Sequence, residues 1–585
     1  MNARNAVTPL TIGIISALIG LFILTGAKAE TGEPEQTSGH WPASQPIGGE
    51  LGPVTDAMLK QSPSNNEEWL HFGGNYAGLR HSPVTSLNPE SVKDLKAAWV
   101  FPTGVPGQLE ANPILYDGVL YVTSAHNRIF ALDPGTGEQL WRYDHPQPDN
   151  MLLCCGPANR GASIAGDTIL MGTLDSRLVA LDRRTGLVLW NTEIAPFTDG
   201  FSVTSAPLIV GDMAIVGMGG AEFGIRGFFD AYDVKTGERK WRTYTVPGAG
   251  EKETETWAGN SYETGGGSGW ATGVYDPELD TIYVATGNPA PDWNGDLRKG
   301  DNLWTDSLLA LDPATGNLKW YFQFTPHDVW DYDGNSELWI VDLEIGGETK
   351  KVIAQANRNG YLYIIERTTG EFLRATQFVD NLNWAIIDKQ GRPIVNSKYT
   401  PAEPGEKPAR ICPGLGGGNQ AAYAGAVDPQ KNIAFVQVIE SCSEMVKGSP
   451  IFIKGIPFFG GTFAFPDAEA GKAYGHLSAI DLASGGILWK HKEPFPAMTG
   501  SLHTAGGVVF TGNSEGHALA LDAANGNVLW KFATGSGIRS HPIAYEHKGK
   551  TYVVIGSGGG GLVSVLVGEK PSLPKGSAFF AFTID

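Results

Sequence analysis

The sequence is poor in charge. Charged residues make up 18% of the 585 residues, against about 25% in average proteins. Cations are the scarcer sign, with 43 Lys and Arg against 62 Asp and Glu and a net charge of −19. This excludes a nucleic-acid binder, which needs a basic face to meet phosphates. Cysteine is scarce too, with four in the chain. None forms CxxC or CxxCH, so a covalent c-type haem is excluded and a thiolate zinc site is disfavoured. HExxH is missing, and the 12 histidines show no metal-ligand spacing, so His327 reads as structural. Helical windows are hard to find, because Gly and Pro interrupt almost every apolar stretch.

What is abundant is glycine, 77 of 585 residues or about 13%, against roughly 7% in average proteins. Aromatics are 10%, with 16 tryptophans. This material suffices for a large core, excludes disorder over most of the chain and suits many short strands joined by tight turns. Residues 1–29 read as an export signal: Arg4, an apolar segment through Leu24, then Ala27-Lys28-Ala29 as an A-x-A cleavage site. A retained anchor is the alternative. Either way the folded part is expected outside the cytoplasm, in the periplasm if the signal is cut after Ala29, where disulfides survive. Residues 30–65 read as a loosely packed extension. Cys154, Cys155, Cys412 and Cys442 allow two bridges in three connectivities. Cys154 and Cys155 are neighbours, and a bond between neighbours closes a strained ring, so chance adjacency stays open here.

An internal repeat is the strongest signal. ALDPGTGEQLW ends at Trp141, and its relatives end at Trp190, Trp241, Trp320, Trp489 and Trp530. IIERTTGEFLR is a degenerate copy with Arg374 at the Trp place, and Trp99 sits about one repeat before Trp141. Each copy is a strand, an Asp-x-x-Thr-Gly turn and a second strand. Gly supplies positive φ there, and Asp closes the turn with its side chain. A ring at a fixed place in each unit can fill the gap between successive sheets. Eight units of roughly 40–50 residues with insertions predict an all-β, eight-bladed β-propeller with tryptophan-docking repeats over 66–585. A β-solenoid is the alternative, but its repeats are shorter. The fold alone does not identify a function.

Irregular segments interrupt the repeats: CCGPANRG (154–161), GGAEFGIRG (219–227), GGGSGW (265–270), ATGNPAPDWN (285–294), TPHDVWDYDGN (325–335), NRNG (357–360) and CPGLGGGNQ (412–420). In this order, with the opening HFGGNYAGLRHSPVTSLNP, the chain from about Trp69 to its C-terminus resembles the pyrroloquinoline quinone (PQQ)-dependent alcohol dehydrogenases, the quinoprotein methanol and ethanol dehydrogenases. The resemblance implies an eight-bladed propeller with PQQ on its axis and a metal ion beside it. By motif match, Glu222, Asn288 and Asp331 are the metal ligands, and as oxygen donors they suit a hard cation. Asp333 resembles the mark of lanthanide-dependent members, where calcium-dependent members carry a small residue. On an extended segment Asp331 and Asp333 would point the same way and reach one ion. The expected cofactors are thus PQQ and a lanthanide, with Ca2+ as the alternative.

The same matches imply the quinone contacts. Trp270 is the stacking floor, and a Cys154–Cys155 ring covers the other face. Arg160, Thr204 and Ser268 meet carboxylates or carbonyls. Gly220 and Ala221 lie along the cofactor, Asn419 meets a carbonyl, and Glu110 places a carboxylate near the ring. Gly219 stands where some members have Ser. Asp331 would be the general base for the alcohol proton, and Arg358 would donate hydrogen bonds to a quinone carbonyl. Cys412 and Cys442 then fit a second bridge around the Asn419 insertion, adding roughly 3 kcal/mol on the chain-entropy model. Near the C-terminus, GSGGGG (556–561) replaces a Gly-rich run in which the family often has Trp. The expected function is oxidation of small primary alcohols. Electrons would pass to a separate soluble cytochrome c, since no haem segment follows the propeller, and a homodimer is compatible. A non-catalytic assembly scaffold, and a dehydrogenase for sugars or polymeric alcohols, are the alternatives.

Overall fold

Six of the repeats place alanine opposite tryptophan across two strands: Ala131 pairs with Trp141, Ala180 with Trp190, Ala231 with Trp241, Ala310 with Trp320, Ala479 with Trp489 and Ala520 with Trp530. A small residue there leaves room for the ring, and a register shift follows at the next residue each time. Such bulges sharpen the local twist that the following turn needs. In the first turn, Asp133 Oδ1 accepts from the backbone N–H of Gly135 and Thr136, both at 2.9 Å. The Gly137 N–H closes the turn on the Asp133 carbonyl at 2.9 Å.

The computed structural model describes residues 39–47, 52–63, 65–420, 425–560 and 574–584. Beside two small two-stranded sheets, its strands form eight blades, each built on four antiparallel strands; two of the blades are extended by a fifth. The first runs Ile114–Tyr116, Val119–Ser124, Arg128–Leu132 and Gln139–Asp144. The next six begin at Ser163–Ala165, Leu208–Val210, Val274–Asp276, Trp339–Ile345, Ala426–Asp428 and Leu502–Thr504. The eighth combines Ile543–His547, Lys550–Ser557 and Ala578–Ile584 with Lys96–Pro102 from the N-terminal side. That pairing, Trp99 opposite Ala581, closes the ring with chain from both ends. First strands of neighbouring blades touch and are mostly buried, whereas fourth strands are largely exposed or half-buried. The first strands therefore surround the axis.

Each tryptophan docks on the next blade. Trp141 Nε1 donates to the Arg183 carbonyl at 3.1 Å, and its ring lies where a Cβ on Gly186 would come within 2.8 Å. Trp190, Trp241 and Trp489 repeat this on Gly237, Gly316 and Gly526, donating to Val234, Pro313 and Ala523. Trp530 donates to the Leu95 carbonyl at 3.1 Å, and Trp99 packs on Gly137, which carries the contact through the closing blade. Arg374 in the degenerate copy does the same work by another route, giving Nη2 to the Leu482 carbonyl at 2.5 Å and Nη1 to that of Ala483.

The extension differs from expectation. His40–Trp41 adds a fifth strand to the first blade, and Arg142 lies 4.4 Å from the Trp41 ring centroid. The short helix Asp56–Gln61, capped by Thr55, buries Leu59. Among the described residues of this stretch, Val54 and Leu59 are buried. The export signal and its cleavage site lie outside the described residues. Among the described residues no helix is long and apolar enough to cross a membrane.

Gly186 has φ +73° and the Trp141 ring against it. Gly211 has φ +60° with nothing within 4 Å of a built Cβ. Gly186→Ala should cost about 3 kcal/mol, backbone strain plus overpacking, and Gly211→Ala only about 1 kcal/mol. Denaturant midpoints of the two variants check this; equal losses would remove the docking contact from the account.

Candidate functional site

Antiparallel strands alternate direction, so within a blade the segment leading into the first strand and the loop joining strands two and three open on one face. The Asp-x-x-Thr-Gly turns, between strands three and four, open on the other. Every residue assigned by motif falls in the first set. Glu110, Cys154, Cys155, Arg160, Thr204, Ser268, Trp270, Asp331, Asp333 and Asn419 precede first strands, while Gly220, Ala221, Glu222, Asn288 and Arg358 lie in the loops between strands two and three. Segments far apart in sequence therefore meet around the axis.

One side of this face is basic. Arg160 stands over the Trp270 ring, 4.8 Å from its centroid, and gives Nη1 to Thr204 Oγ1 at 2.7 Å. Its Nη2 is 2.9 Å from Glu110 Oε2, and Arg539 Nη2 is 2.7 Å from Glu110 Oε1. Arg539 carries no motif in the sequence and was missed; its neighbourhood is decided by the eighth blade. Cys154 and Cys155 are bonded to each other and Cys412 to Cys442, leaving no free cysteine. The sulfurs of Cys154 and Cys155 and a Glu222 oxygen lie within 4.8 Å of one another. Gly219 exchanges both backbone hydrogen bonds with Ser202, whose Oγ would lie 3.0 Å from a Cβ at 219. A hydroxyl is thus present beside Gly219, from a residue the motifs did not flag. Asn419 is buried and donates to the Gln437 carbonyl at 2.9 Å.

The other side is acidic. Glu222 sits on the short turn Ala221–Phe223, between Gly220 and Gly224, both at positive φ. Phe458 N–H donates to the Glu222 carbonyl at 2.6 Å and pins that turn. Asn288 N–H donates to Asp333 Oδ1 at 3.0 Å, and Arg358 Nη1 binds Asp333 Oδ2 and lies 3.5 Å from Asp331 Oδ1. The two carboxylates meet, but not through the expected extended segment. Asp331 and Asp333 have φ +59° and +53°, and Asp328 accepts the N–H groups of Trp330 and Tyr332, each at 2.8 Å, folding the segment back on itself. Short polar side chains tolerate this left-handed backbone better than most.

The electrostatics of this side are unbalanced. Glu222, Asp292, Asp306, Asp328, Asp331 and Asp333 influence one another, and Arg298 and Arg358 are the two cations among them. Burial, aided by Asp333, pushes the Glu222 carboxyl up to about 7. Burial raises Asp331 well above the usual range; Arg358 opposes this, and Asp333 and Glu222 add to it. Burial alone would lower Arg358, but Asp331 and Asp333 beside it raise it. Asp331 Oδ1 is buried with no hydrogen-bond partner. Six carboxylates against two guanidiniums cannot all stay ionised in such a place without a further cation. The donors are oxygens, so a hard, multivalent ion fits.

With the geometry in place, the known relatives can be set beside it. The family described as glucose/ethanol/alcohol dehydrogenase, β-propeller domain, matches residues 69–379, and outer membrane protein assembly factor BamB matches 473–565. The second stretch holds the repeats of Trp489 and Trp530 and none of the acidic residues. Quinoprotein alcohol dehydrogenase PedH of Pseudomonas putida is 38% identical over 540 residues, 88% of this chain and 90% of its own. The lanthanide-dependent methanol dehydrogenase of Methylorubrum extorquens is 36% identical over 555 residues, 89% of this chain and 92% of its own. A europium-containing methanol dehydrogenase structure superposes with TM-score 0.86 at 32% identity, over 90% of this chain and 100% of that one. The chain belongs to the PQQ-dependent quinoprotein alcohol dehydrogenases.

A carboxyl near 4.5 unfolded and about 7 folded binds more protons when folded, so its contribution to stability is lost as pH rises through that window. Metal-free protein should therefore lose stability between about pH 4.5 and 7, with Glu222 accounting for roughly 2 kcal/mol after allowance for its residual solvent contact. Unfolding midpoints of wild type and Glu222→Gln across this range test it; parallel curves would contradict the assignment.

Proposed function

We propose that the protein oxidises small primary alcohols to aldehydes in the periplasm, with PQQ and a metal ion at the face described above, and passes the electrons to a soluble cytochrome c. The observation that carries this reading is the surplus of buried carboxylates around Asp331, on the same face as Arg160 stacked over Trp270 and the Cys154–Cys155 disulfide beside Glu222. PQQ is a flat tricarboxylate, which calls for stacking and cationic donors. Trp270 and the Cys154–Cys155 disulfide are its two covers. Arg160, Thr204, Ser268 and Asn419 supply polar contacts, Glu110 holds Arg160 in place, and Gly220 and Ala221 leave room for the ring. Glu222, Asn288, Asp331 and Asp333 hold the cation. When bound, the quinone supplies the two-electron acceptor and the cation supplies Lewis acidity.

The chain's own residues do the rest. Asp331 Oδ1, which has no hydrogen-bond partner, is the atom that accepts the alcohol O–H proton. Its carboxyl stays protonated when buried alone, so a cation beside it is what keeps the base ionised at neutral pH. Arg358 orients Asp331 and Asp333 together and presents N–H donors to negative charge that develops nearby. The Asp333 carboxylate adds charge that a trivalent ion offsets better than a divalent one. Relatives named as lanthanide-dependent support that preference. The glycine run 556–560 borders the basic side, where Arg539 Nη1 donates to the Gly560 carbonyl at 2.5 Å. Without a bulky residue there, alcohols longer than methanol are accommodated. The assembly-scaffold alternative gives no reason for the acidic pocket.

Purified protein stripped of metal and given PQQ should turn over ethanol in a dye-linked assay, more with lanthanum than with calcium. Asp331→Ala should lower kcat by about 100-fold or more. Asp333→Ala should lose about tenfold of the lanthanum-supported rate while keeping most of the calcium-supported rate. Equal loss with both ions would reduce Asp333 to a turn residue, and absence of PQQ binding in wild type would favour the scaffold.

A further inference from the structure

Two carboxylates of the acidic pocket, Asp292 and Asp306, have no assigned task, and Asp292 is taken first. Asp292 stands in the 286–306 loop, four residues beyond Asn288. Its side chain is 1% exposed, and neither carboxylate oxygen has a hydrogen-bond partner. The nearest guanidinium is committed elsewhere. Arg298 gives Nε to the Pro291 carbonyl at 3.0 Å, Nη1 to Asn302 Oδ1 at 2.8 Å, and Nη2 to the backbone carbonyls of Asp292, at 2.9 Å, and Asp328. Nor is the loop free to swing the carboxylate into solvent. The next residue, Trp293, is stacked on Phe459 at 5.5 Å, and its N–H donates to the Phe459 carbonyl at 3.0 Å.

A buried carboxylate with two bare oxygens costs several kcal/mol unless a proton or a cation meets it. Arg298 Nη2 joins the Asp292 carbonyl to that of Asp328, at the root of the segment carrying Asp331. Trp293 N–H binds the Phe459 carbonyl and Phe458 N–H binds the Glu222 carbonyl, so Asp292 is tied to the segments of Asp331 and Glu222. These are two of the groups assigned to the cation, so Asp292 looks onto the cation side of the pocket. Asp306 also has two unpartnered oxygens; its backbone N–H is bonded to the Gly287 carbonyl, and Asp328, Asp333 and Asp331 are the carboxylates that act on it.

We propose that Asp292 is a charge-selecting residue of the cation site, whose buried carboxylate raises the preference for a trivalent over a divalent ion. The inference rests on the proposed function, since it presumes that Glu222, Asn288, Asp331 and Asp333 hold the ion. Selection follows from Coulomb's law: a fixed negative charge gains half as much again from a trivalent as from a divalent ion at the same distance, and low-dielectric surroundings enlarge the difference.

The test uses metal-stripped full-length protein with PQQ, and reads tryptophan-sensitised terbium luminescence with calcium as competitor. Asp292→Asn should lose about tenfold in terbium affinity and about fivefold in calcium affinity, so the terbium-to-calcium ratio falls about twofold. Asp296→Asn, the same change at an exposed position of the same loop, should keep the wild-type ratio, and so should Asp292→Glu, which retains the charge. An unchanged terbium-to-calcium ratio in Asp292→Asn overturns the proposal and marks Asp292 as a neutral, structural acid. If Asp292→Asn does not fold, loss of the ratio in Asp292→Glu overturns it instead. Wild type that binds neither PQQ nor terbium would overturn the proposed function and this inference together.

Discussion

The packing of one indole on the turn glycine of the following blade is the contact on which the rest of this molecule depends. It recurs around the ring, and where the indole is replaced, Arg374 reaches the same kind of carbonyl. A ring that buries about 200 Å² is worth about 5 kcal/mol on area alone. Its N–H would be costly if left bare, so the donated hydrogen bond fixes orientation as well as distance. Because each blade is held to the next at a repeated point, the first strands are held around a common axis, and the loops that lead into them are aimed at one place.

That aim lets the protein concentrate charge. Basic and acidic groups are drawn from loops of several blades: Glu110, Arg160 and Arg539 come from three different blades, whereas Arg358 shares its blade with Asp331 and Asp333. Glu110 is shared by Arg160 and Arg539. Arg358 is shared by Asp331 and Asp333. On the basic side two guanidiniums meet one carboxylate, whereas on the acidic side carboxylates outnumber guanidiniums. Several carboxylates there are raised out of their ordinary range by burial and by one another. A pocket of this kind is costly to the fold alone and becomes favourable with a multivalent ion, which couples metal binding to stability.

The backbone contributes to this. Asp331 and Asp333 share the left-handed region, and Asp328 ties down the N–H groups of Trp330 and Tyr332. The segment is a tight, internally bonded loop rather than a strand, so its side chains are directed by hydrogen bonds and by Arg358, not by strand alternation. Strained backbone held by its surroundings is common where geometry must be exact for function.

The sequence by itself determined the blade. Asp, Thr, Gly, Ala and Trp act within about 15 residues of one another, through turn chemistry and cross-strand size matching, and local rules of that kind are written in order along the chain. Even the degenerate copy at Arg374 could be counted. The motifs also named the residues of the face, because several short segments in one order are specific. What they could not supply was the company each residue keeps. Arg539 beside Glu110 arises only when the ring closes, and Ser202 beside Gly219 and the bare carboxylates of Asp292 and Asp306 arise from how irregular loops fold. The left-handed turn at Asp331 and Asp333 was likewise decided by contacts with Asp328 and Arg358. Burial and pairing of charge depend on all neighbours at once, and only the tertiary structure brings those neighbours together.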